Sequence, residues 1–116
     1  MRMLFLAAVF AAAPAFADEG WVALGAADAD AALRSRTLRY EDGATQDFHP
    51  DGGTTYTVDG TPSEGRWGIR DGRYCSVWPT SERWACYDLA RSAGGLDIRF
   101  TDGGGGETIG RYVDAQ

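Results

Sequence analysis

The chain has 116 residues, of which 44% are hydrophobic, and a formal net charge of −6. All 11 basic residues are arginines, and no basic cluster interrupts the acidic composition. Such a chain repels phosphate groups, which argues against nucleic acid as a partner, and its length predicts one domain with a modest core.

The first seventeen residues have the features of a secretory signal peptide. Arg2 precedes an apolar run from Met3 to Ala13, and the small-x-small sequence Ala15-Phe16-Ala17 follows it. The run is shorter than the roughly 20 residues that a membrane span needs. We therefore predict that residues 1–17 are cleaved and that residues 18–116 form a periplasmic or secreted domain without membrane insertion.

The alanine-rich stretch that follows predicts the only helix of the mature chain. Apolar residues recur at Ala27, Ala31 and Leu33, and either Asp28 or Asp30 is a candidate N-cap. The predicted helix ends near Ser35.

Eight short runs follow from Thr37, and their alternation between glycine-rich turns is typical of antiparallel strands. The clearest alternation places Leu96, Ile98 and Phe100 inward. Asp-Gly pairs, which accept the positive φ angles of tight hairpins, occur at five of the turns. The pattern predicts an all-β fold, either a small antiparallel barrel or a curved meander sheet of about eight strands. The runs are TLRY (37–40), TQDFH (45–49), TTYTV (54–58), RWGI (66–69), YCSVW (74–78), RWACYDL (83–89), LDIRF (96–100) and TIGRYV (108–113).

The two cysteines are predicted to form a structural disulfide. A turn over residues 79–82 places Cys75 directly opposite Cys86, at a distance that permits an S–S bond. The same register pairs Trp78 with Arg83 and Val77 with Trp84. A redox site favours Cys-x-x-Cys at a helix start, and a zinc site needs three or four ligands, whereas His49 is the only histidine. We therefore expect no metal and no cofactor.

Aromatic residues on the cysteine hairpin are the candidate ligand or partner face. The register across Asp71-Gly72 pairs Ile69 with Tyr74 and Trp67 with Ser76. Together with the cysteine register, it puts one set of side chains on the face that we predict to be core and Trp84 with the cysteines on the other. Two interpretations stay open: the aromatic rings fill the barrel core, or they form a contact surface for a ligand or protein. The candidate residues are Trp67, Tyr74, Trp78, Trp84 and Tyr87.

Catalysis has one candidate, His49, which lies at a strand end in the sequence DFHPDGG. The hydroxyl groups of Ser76, Ser81 or Thr55 are possible neighbours, but no spacing in the sequence brings them to it. Asp47 and Asp51 beside it are typical of turns. We therefore predict a protein that is not an enzyme and keep a small hydrolase or lyase using His49 as an alternative.

The hairpin and its flanks, residues 45–100, resemble a class of small, uncharacterised exported β proteins of alphaproteobacteria. The resemblance rests on Gly65-Arg66-Trp67, Tyr74-Cys75, Trp78-Pro79 and Cys86-Tyr87. Some similar proteins carry a dihydrodipicolinate reductase label, which implies a nucleotide-binding fold. This chain has neither the length nor the glycine fingerprint of that fold, so the resemblance implies an exported β domain without an activity to transfer.

The segment GWVALGA, residues 20–26, is similar to the first strand of small periplasmic β-barrel inhibitors of metalloproteases, which also hold one disulfide. This likeness implies that Asp18-Glu19-Gly20 would enter a protease cleft, and it makes a protease inhibitor the second alternative. Our leading expectation is a monomeric, non-catalytic domain that binds a protein or a small amphipathic ligand.

Overall fold

The computed structural model describes residues 20–113, so the predicted signal peptide and residues 18–19 lie outside the described residues. This part of the chain forms nine strands and one short helix in the order β1, α1, β2 to β9. Their bounds are β1 Trp21–Ala23, α1 Ala26–Leu33, β2 Thr37–Tyr40, β3 Thr45–Phe48, β4 Gly53–Val58, β5 Thr61–Arg70, β6 Arg73–Val77, β7 Ala85–Ser92, β8 Asp97–Thr101 and β9 Glu107–Tyr112.

Strands β2 to β9 form a closed antiparallel barrel. Each pairs with the next along the chain, and β9 returns to pair with β2 through Leu38↔Tyr112 and Tyr40↔Gly110. Gly110 permits this closure, because a Cβ built there would lie 2.9 Å from the Tyr40 ring and 3.1 Å from the Leu38 Cβ. The predicted all-β class is therefore confirmed, and the pairing of β9 with β2 decides for a barrel over an open sheet.

Two hairpins owe their register to Asp-Gly turns. Both residues have positive φ at Asp59-Gly60 and at Asp71-Gly72, which fits the twist of paired strands. The sequence predicted a loop over residues 59–65 between two strands. This prediction is wrong for most of the segment, because β5 begins at Thr61, directly after the first of these turns. The second gives the predicted pairs Ile69↔Tyr74 and Trp67↔Ser76 without a bulge.

The additional strand, β1, was not among the eight predicted from alternation. It has three residues and pairs with the far half of β7, where Ala23 lies opposite Ala90 and Trp21 opposite Ser92. Strand β6 pairs only with the first part of β7, so β1 continues the sheet beside the part that β6 leaves free. A strand this short is stabilised by a partner distant in sequence, which local periodicity does not reveal.

Helix α1 covers one end of the barrel. Its buried face consists of Ala29, Ala32 and Leu33, and the Tyr112 hydroxyl donates a hydrogen bond to the Ala32 carbonyl at 2.6 Å. The predicted cap is wrong, because the helix begins after Gly25, no side chain caps it, and Asp30 instead pairs with Arg34. The predicted face is also shifted, since Ala27 and Ala31 are exposed.

The side chains inside the barrel form two layers. The closed-end layer lies under α1 and is tightly packed. The cavity layer lies at the other end, which we call the open end. Leu96, predicted to point inward, precedes β8 and is 39% exposed, so only Ile98 and Phe100 of that run are core residues. The closed-end layer comprises Leu38, Phe48, Trp67, Leu89, Ile98 and Tyr112, all at most 4% exposed.

The disulfide between Cys75 and Cys86 is present and joins directly paired residues of β6 and β7, as predicted. Such a bond persists in an oxidising compartment. The ladder stops at Ser76↔Ala85, so the predicted pairs of Trp78 with Arg83 and of Val77 with Trp84 are not formed. Trp78 instead turns over β5 and packs edge-on against Tyr56, with ring centroids 6.1 Å apart. Within residues 20–113, no helix is long and apolar enough to cross a membrane.

Candidate functional site

The open end of the barrel encloses a cavity of about 650 Å³. This volume lies within the range of small-molecule pockets, and eight-stranded barrels are wide enough to hold one small ligand. Strands from around the barrel and the segment after β6 contribute to the walls. The lining residues are Tyr40, Gln46, Tyr56, Ser63, Glu64, Tyr74, Ser76, Trp78, Pro79, Tyr87, Phe100 and Thr108.

Half of these residues are aromatic, and their rings contact one another around the cavity. Tyr40 stacks on Tyr56 at 5.7 Å between centroids, and Phe100 meets Tyr74 edge-on at 5.3 Å and Tyr87 at 6.3 Å. Rings in mutual contact lose little further side-chain entropy when a ligand binds, so this wall is preorganised.

A hydrogen-bond network centred on Gln46 forms the polar floor of the cavity. The Tyr40 hydroxyl donates to Gln46 Oε1 at 2.6 Å. Gln46 Nε2 donates to Thr54 Oγ1 at 2.9 Å and to the Tyr74 hydroxyl at 3.2 Å. Thr54 Oγ1 in turn donates to the Asp47 carbonyl at 2.8 Å and must therefore accept from Gln46, which fixes the orientation of the amide.

Burial raises the pKa of Tyr40 and of Tyr74 above the ordinary tyrosine value, because the low-dielectric interior disfavours the phenolate. The stability that depends on these neutral hydroxyls is fully present below about pH 10, the pKa of an unfolded tyrosine, and is lost as the pH rises above it. The loss for each group is limited to about 1.4 kcal/mol per pH unit and continues until the pH reaches its pKa in the folded protein.

We therefore expect the free energy of unfolding, measured by urea denaturation, to fall steeply between about pH 10 and pH 11.5. Tyr40→Phe should reduce the slope, because one of the two protons can no longer be lost. A free energy of unfolding that stays constant across this interval would show that neither hydroxyl is held neutral by the fold.

Gly65 sets the position of the Trp78 wall. A Cβ built on Gly65 would lie 2.5 Å from Trp78 Cε3 and 2.8 Å from the Val77 carbonyl oxygen, closer than real contacts allow. Gly68, on the same strand, has no atom within 4 Å of its built Cβ. The missing side chain at position 65 is thus what lets Trp78 fold against β5 and line the cavity.

We expect Gly65→Ala to displace Trp78, to lower the free energy of unfolding by about 1–3 kcal/mol and to change the cavity mouth. Gly68→Ala is the matched control and should be within about 0.5 kcal/mol of wild type. Urea denaturation with tryptophan fluorescence measures both. Equal stability of the two variants would refute the steric role of Gly65.

The structure separates the five candidate residues of the predicted aromatic face. Tyr74, Trp78 and Tyr87 line the cavity. Trp67 lies in the closed-end layer, where its ring meets Phe48 edge-on at 5.7 Å and its Nε1 donates to the His49 carbonyl at 3.0 Å. Trp84 is not among the lining residues, and the guanidinium of Arg70 lies 3.7 Å from its ring centroid.

The sequence analysis did not single out Tyr40, Gln46 and Tyr56 as site residues, although they form much of the cavity. They stand on β2, β3 and β4, far from the cysteine hairpin in sequence. The sequence does carry a signal for two of them. Tyr40 is the aromatic residue of the short run TLRY, and Tyr56 is the aromatic residue of the threonine-rich run TTYTV. Gln46 carries no such signal, and only its 4% exposure inside the barrel reveals it.

His49 lies outside the cavity in a chain of hydrogen bonds. Its Nε2 is 2.8 Å from Thr55 Oγ1, and Thr55 Oγ1 donates to Glu64 Oε1 at 2.9 Å. With the hydroxyl proton directed at the Glu64 carboxylate, Thr55 accepts from His49. A histidine that activates a nucleophile accepts the hydroxyl proton instead, so this arrangement runs in the opposite direction. Of the three hydroxyl groups considered from sequence, the structure places Thr55 at His49.

The acidic residues near His49 are occupied by turn and strand contacts. Asp51 Oδ1 accepts from the Gly53 amide at 2.9 Å, and Asp47 accepts from the Thr37 hydroxyl. Residues 20–113 contain no group of three His, Cys, Asp or Glu side chains placed to hold a metal ion.

The fold and the cavity together define a closed, up-and-down β-barrel with a solvent-accessible interior site. Comparison of the chain with protein-family models, curated proteins and solved structures found no match.

Proposed function

We propose that this protein is a non-catalytic binding protein of the periplasm or the extracellular space whose open-end cavity holds a small amphipathic molecule. The observation that carries the proposal is the combination of an aromatic wall and a polar floor in one cavity of about 650 Å³. Ring faces bury the apolar part of a ligand, and a few fixed polar groups orient the rest. The disulfide supports an oxidising compartment.

The expectation from the sequence also included binding to a protein partner. Large apolar side chains exposed on the described surface are Val22, Val58 and Leu96, which belong to β1, the end of β4 and the segment before β8. Protein interfaces usually need a contiguous apolar patch with aromatic anchors. Most aromatic side chains are turned into the barrel, and Trp21 and Trp84 outside it are paired with Arg99 and Arg70, which favours a small ligand.

A fluorescent probe tests the proposal. N-phenyl-1-naphthylamine is neutral, amphipathic and brighter in an apolar site, and we expect saturable binding of one probe per chain. Trp78→Leu should weaken this binding at least about tenfold because it removes a cavity ring. Trp84→Leu, the control for loss of a tryptophan outside the cavity, should leave it unchanged. Absence of saturable binding, or equal losses in both variants, would contradict the proposal.

The alternative function, a hydrolase or lyase that uses His49, is distinguished from ligand binding by substitution of this residue. His49→Ala should leave probe binding within about twofold of wild type, because His49 does not line the cavity. Hydrolysis of model esters that disappears in this variant would favour the alternative. The protease-inhibitor alternative depends on residues 18–20, of which only Gly20 is described, and predicts that their deletion removes inhibition of a metalloprotease without unfolding the barrel.

A further inference from the structure

The aromatic rings of this protein fall into two groups that differ in their cationic partners. Four rings outside the cavity each receive an arginine guanidinium, at 3.7 to 5.2 Å from the ring centroid. None of these four pairs involves a ring that lines the cavity. The pairs are Arg34 with Trp67, Arg36 with Tyr112, Arg70 with Trp84, and Arg99 with Trp21.

The charges that line the cavity point in the same direction. Its described lining contains no arginine, and the carboxylate of Glu64, the one charged residue of the lining, is turned to Thr55 in the hydrogen-bond chain outside the cavity. The faces of six aromatic rings carry partial negative charge. A carboxylate or phosphate ligand would meet no cation in this lining, whereas a cation would meet ring faces.

Two residues of the polar floor, Tyr40 and Gln46, have no hydrogen atom left to donate. The Tyr40 proton is committed to Gln46 Oε1, and both amide hydrogens of Gln46 are committed to Thr54 and Tyr74. Tyr40 and Gln46 therefore offer lone pairs and no donor, whereas the Tyr74 hydroxyl, which accepts from Gln46, keeps its own proton. A ligand with N–H donors has acceptors in this floor at Tyr40 and Gln46.

From these three observations we propose that the cavity selects amphipathic ammonium compounds, with an apolar or aromatic body and a cationic amine head. This inference rests on the proposed function and adds the charge of the ligand to it. Cation–π attraction is stronger in a partly desolvated site than at an exposed one. This favours binding of the ligand in the cavity, because arginine already occupies the four rings outside it. The acidic net charge of −6 adds a long-range attraction for such a ligand.

The test compares three probes with one body and different heads: 4-phenylbutylamine, 4-phenylbutan-1-ol and 4-phenylbutyrate. Their affinities at pH 7 are measured by displacement of N-phenyl-1-naphthylamine and by calorimetry. We expect the ammonium to bind at least about tenfold more tightly than the alcohol, and the carboxylate to bind most weakly. The preference should persist within about threefold at 0.5 M NaCl, because salt screens attraction to the surface charge more than contacts inside the cavity.

Substitutions test whether the preference for the ammonium compound comes from the cavity rings. Trp78→Leu keeps an apolar wall but removes a ring face, so it should weaken the ammonium more than the alcohol. Tyr87→Leu provides a second such variant if the first does not fold. Trp84→Leu should change neither affinity, because its ring already holds Arg70.

The outcomes separate this inference from the proposed function. If the alcohol or the carboxylate binds as tightly as the ammonium, or if the preference disappears at high salt, the selection of cations is wrong and the binding function stands. If neither the neutral probe nor any of the three compounds binds, the proposed function itself is wrong.

Discussion

Truncating Phe48 to alanine is expected to lower the free energy of unfolding by about 3–5 kcal/mol while leaving ligand binding nearly intact. Phe48 is 1% exposed and packs edge-on against Trp67 and Tyr74, with centroids 5.7 and 5.8 Å away. It belongs to the closed-end layer and does not line the cavity, so its loss should leave a buried void. The cost therefore includes both the lost burial and the void.

Phe100→Ala is the matched variant in the cavity layer. Phe100 is also buried, at 4% exposure, and its replacement by alanine removes the same atoms as Phe48→Ala. Its ring lines an existing cavity, so its loss enlarges a space open to water, and the cost should be smaller, about 2 kcal/mol. Binding of N-phenyl-1-naphthylamine should nevertheless weaken at least about tenfold, because the ring forms part of the wall.

Urea denaturation measures the stability of the two variants, and probe titration measures their binding. Both titrations are made in the absence of denaturant, where each variant is folded by circular dichroism. The two-layer description would be wrong if Phe48→Ala weakened binding as much as Phe100→Ala, or if the two lost the same stability.

The second large effect concerns the disulfide. Replacing both Cys75 and Cys86 with alanine should lower the free energy of unfolding by about 3 kcal/mol, because the unfolded chain regains the entropy of an open loop. For a domain of this size, with a total stability of about 5–15 kcal/mol, such a loss is a large fraction. The bond also joins the strands that carry Tyr74 and Tyr87, so the cavity wall should loosen and probe affinity should fall.

Reduction supplies the control for the alanine variant. Dithiothreitol should lower the stability of wild type to near that of Cys75→Ala/Cys86→Ala, and it should not affect the variant. An alanine variant as stable as the oxidised wild type would show that the bond contributes nothing to the fold.

Much of the barrel follows from local patterns in the sequence. Alternation and Asp-Gly pairs located eight strands of the barrel, and the turn expected over residues 79–82 placed Cys75 opposite Cys86, because a turn fixes register and register fixes facing pairs. The start of β5 was missed because Thr61, Pro62, Ser63 and Glu64 have the composition of a loop. They form a strand because the positive φ angles of Asp59-Gly60 turn the chain directly back along β4.

The cavity was less predictable, because alternation tells whether a side chain points inward but not how deep it lies along the barrel. Trp67 and Trp78 both point inward, yet the first lies under α1 and the second lines the open end. Depth depends on the stagger of all eight strands, which no single hairpin encodes. Trp84 lies just beyond the cysteine ladder and outside the cavity lining, and its ring packs against Arg70, which the sequence register had placed on the same face.

The most direct test of the central claim, that the open-end cavity is a small-molecule site, is an NMR titration of ¹⁵N-labelled protein with 4-phenylbutan-1-ol. The neutral alcohol tests the site without assuming the charge of its ligand. We predict amide shifts confined to strand segments around the cavity, at Ser63, Ser76 and Thr108, with the α1 amides unchanged. Shifts centred on α1, or spread evenly over the outer surface, would contradict the account.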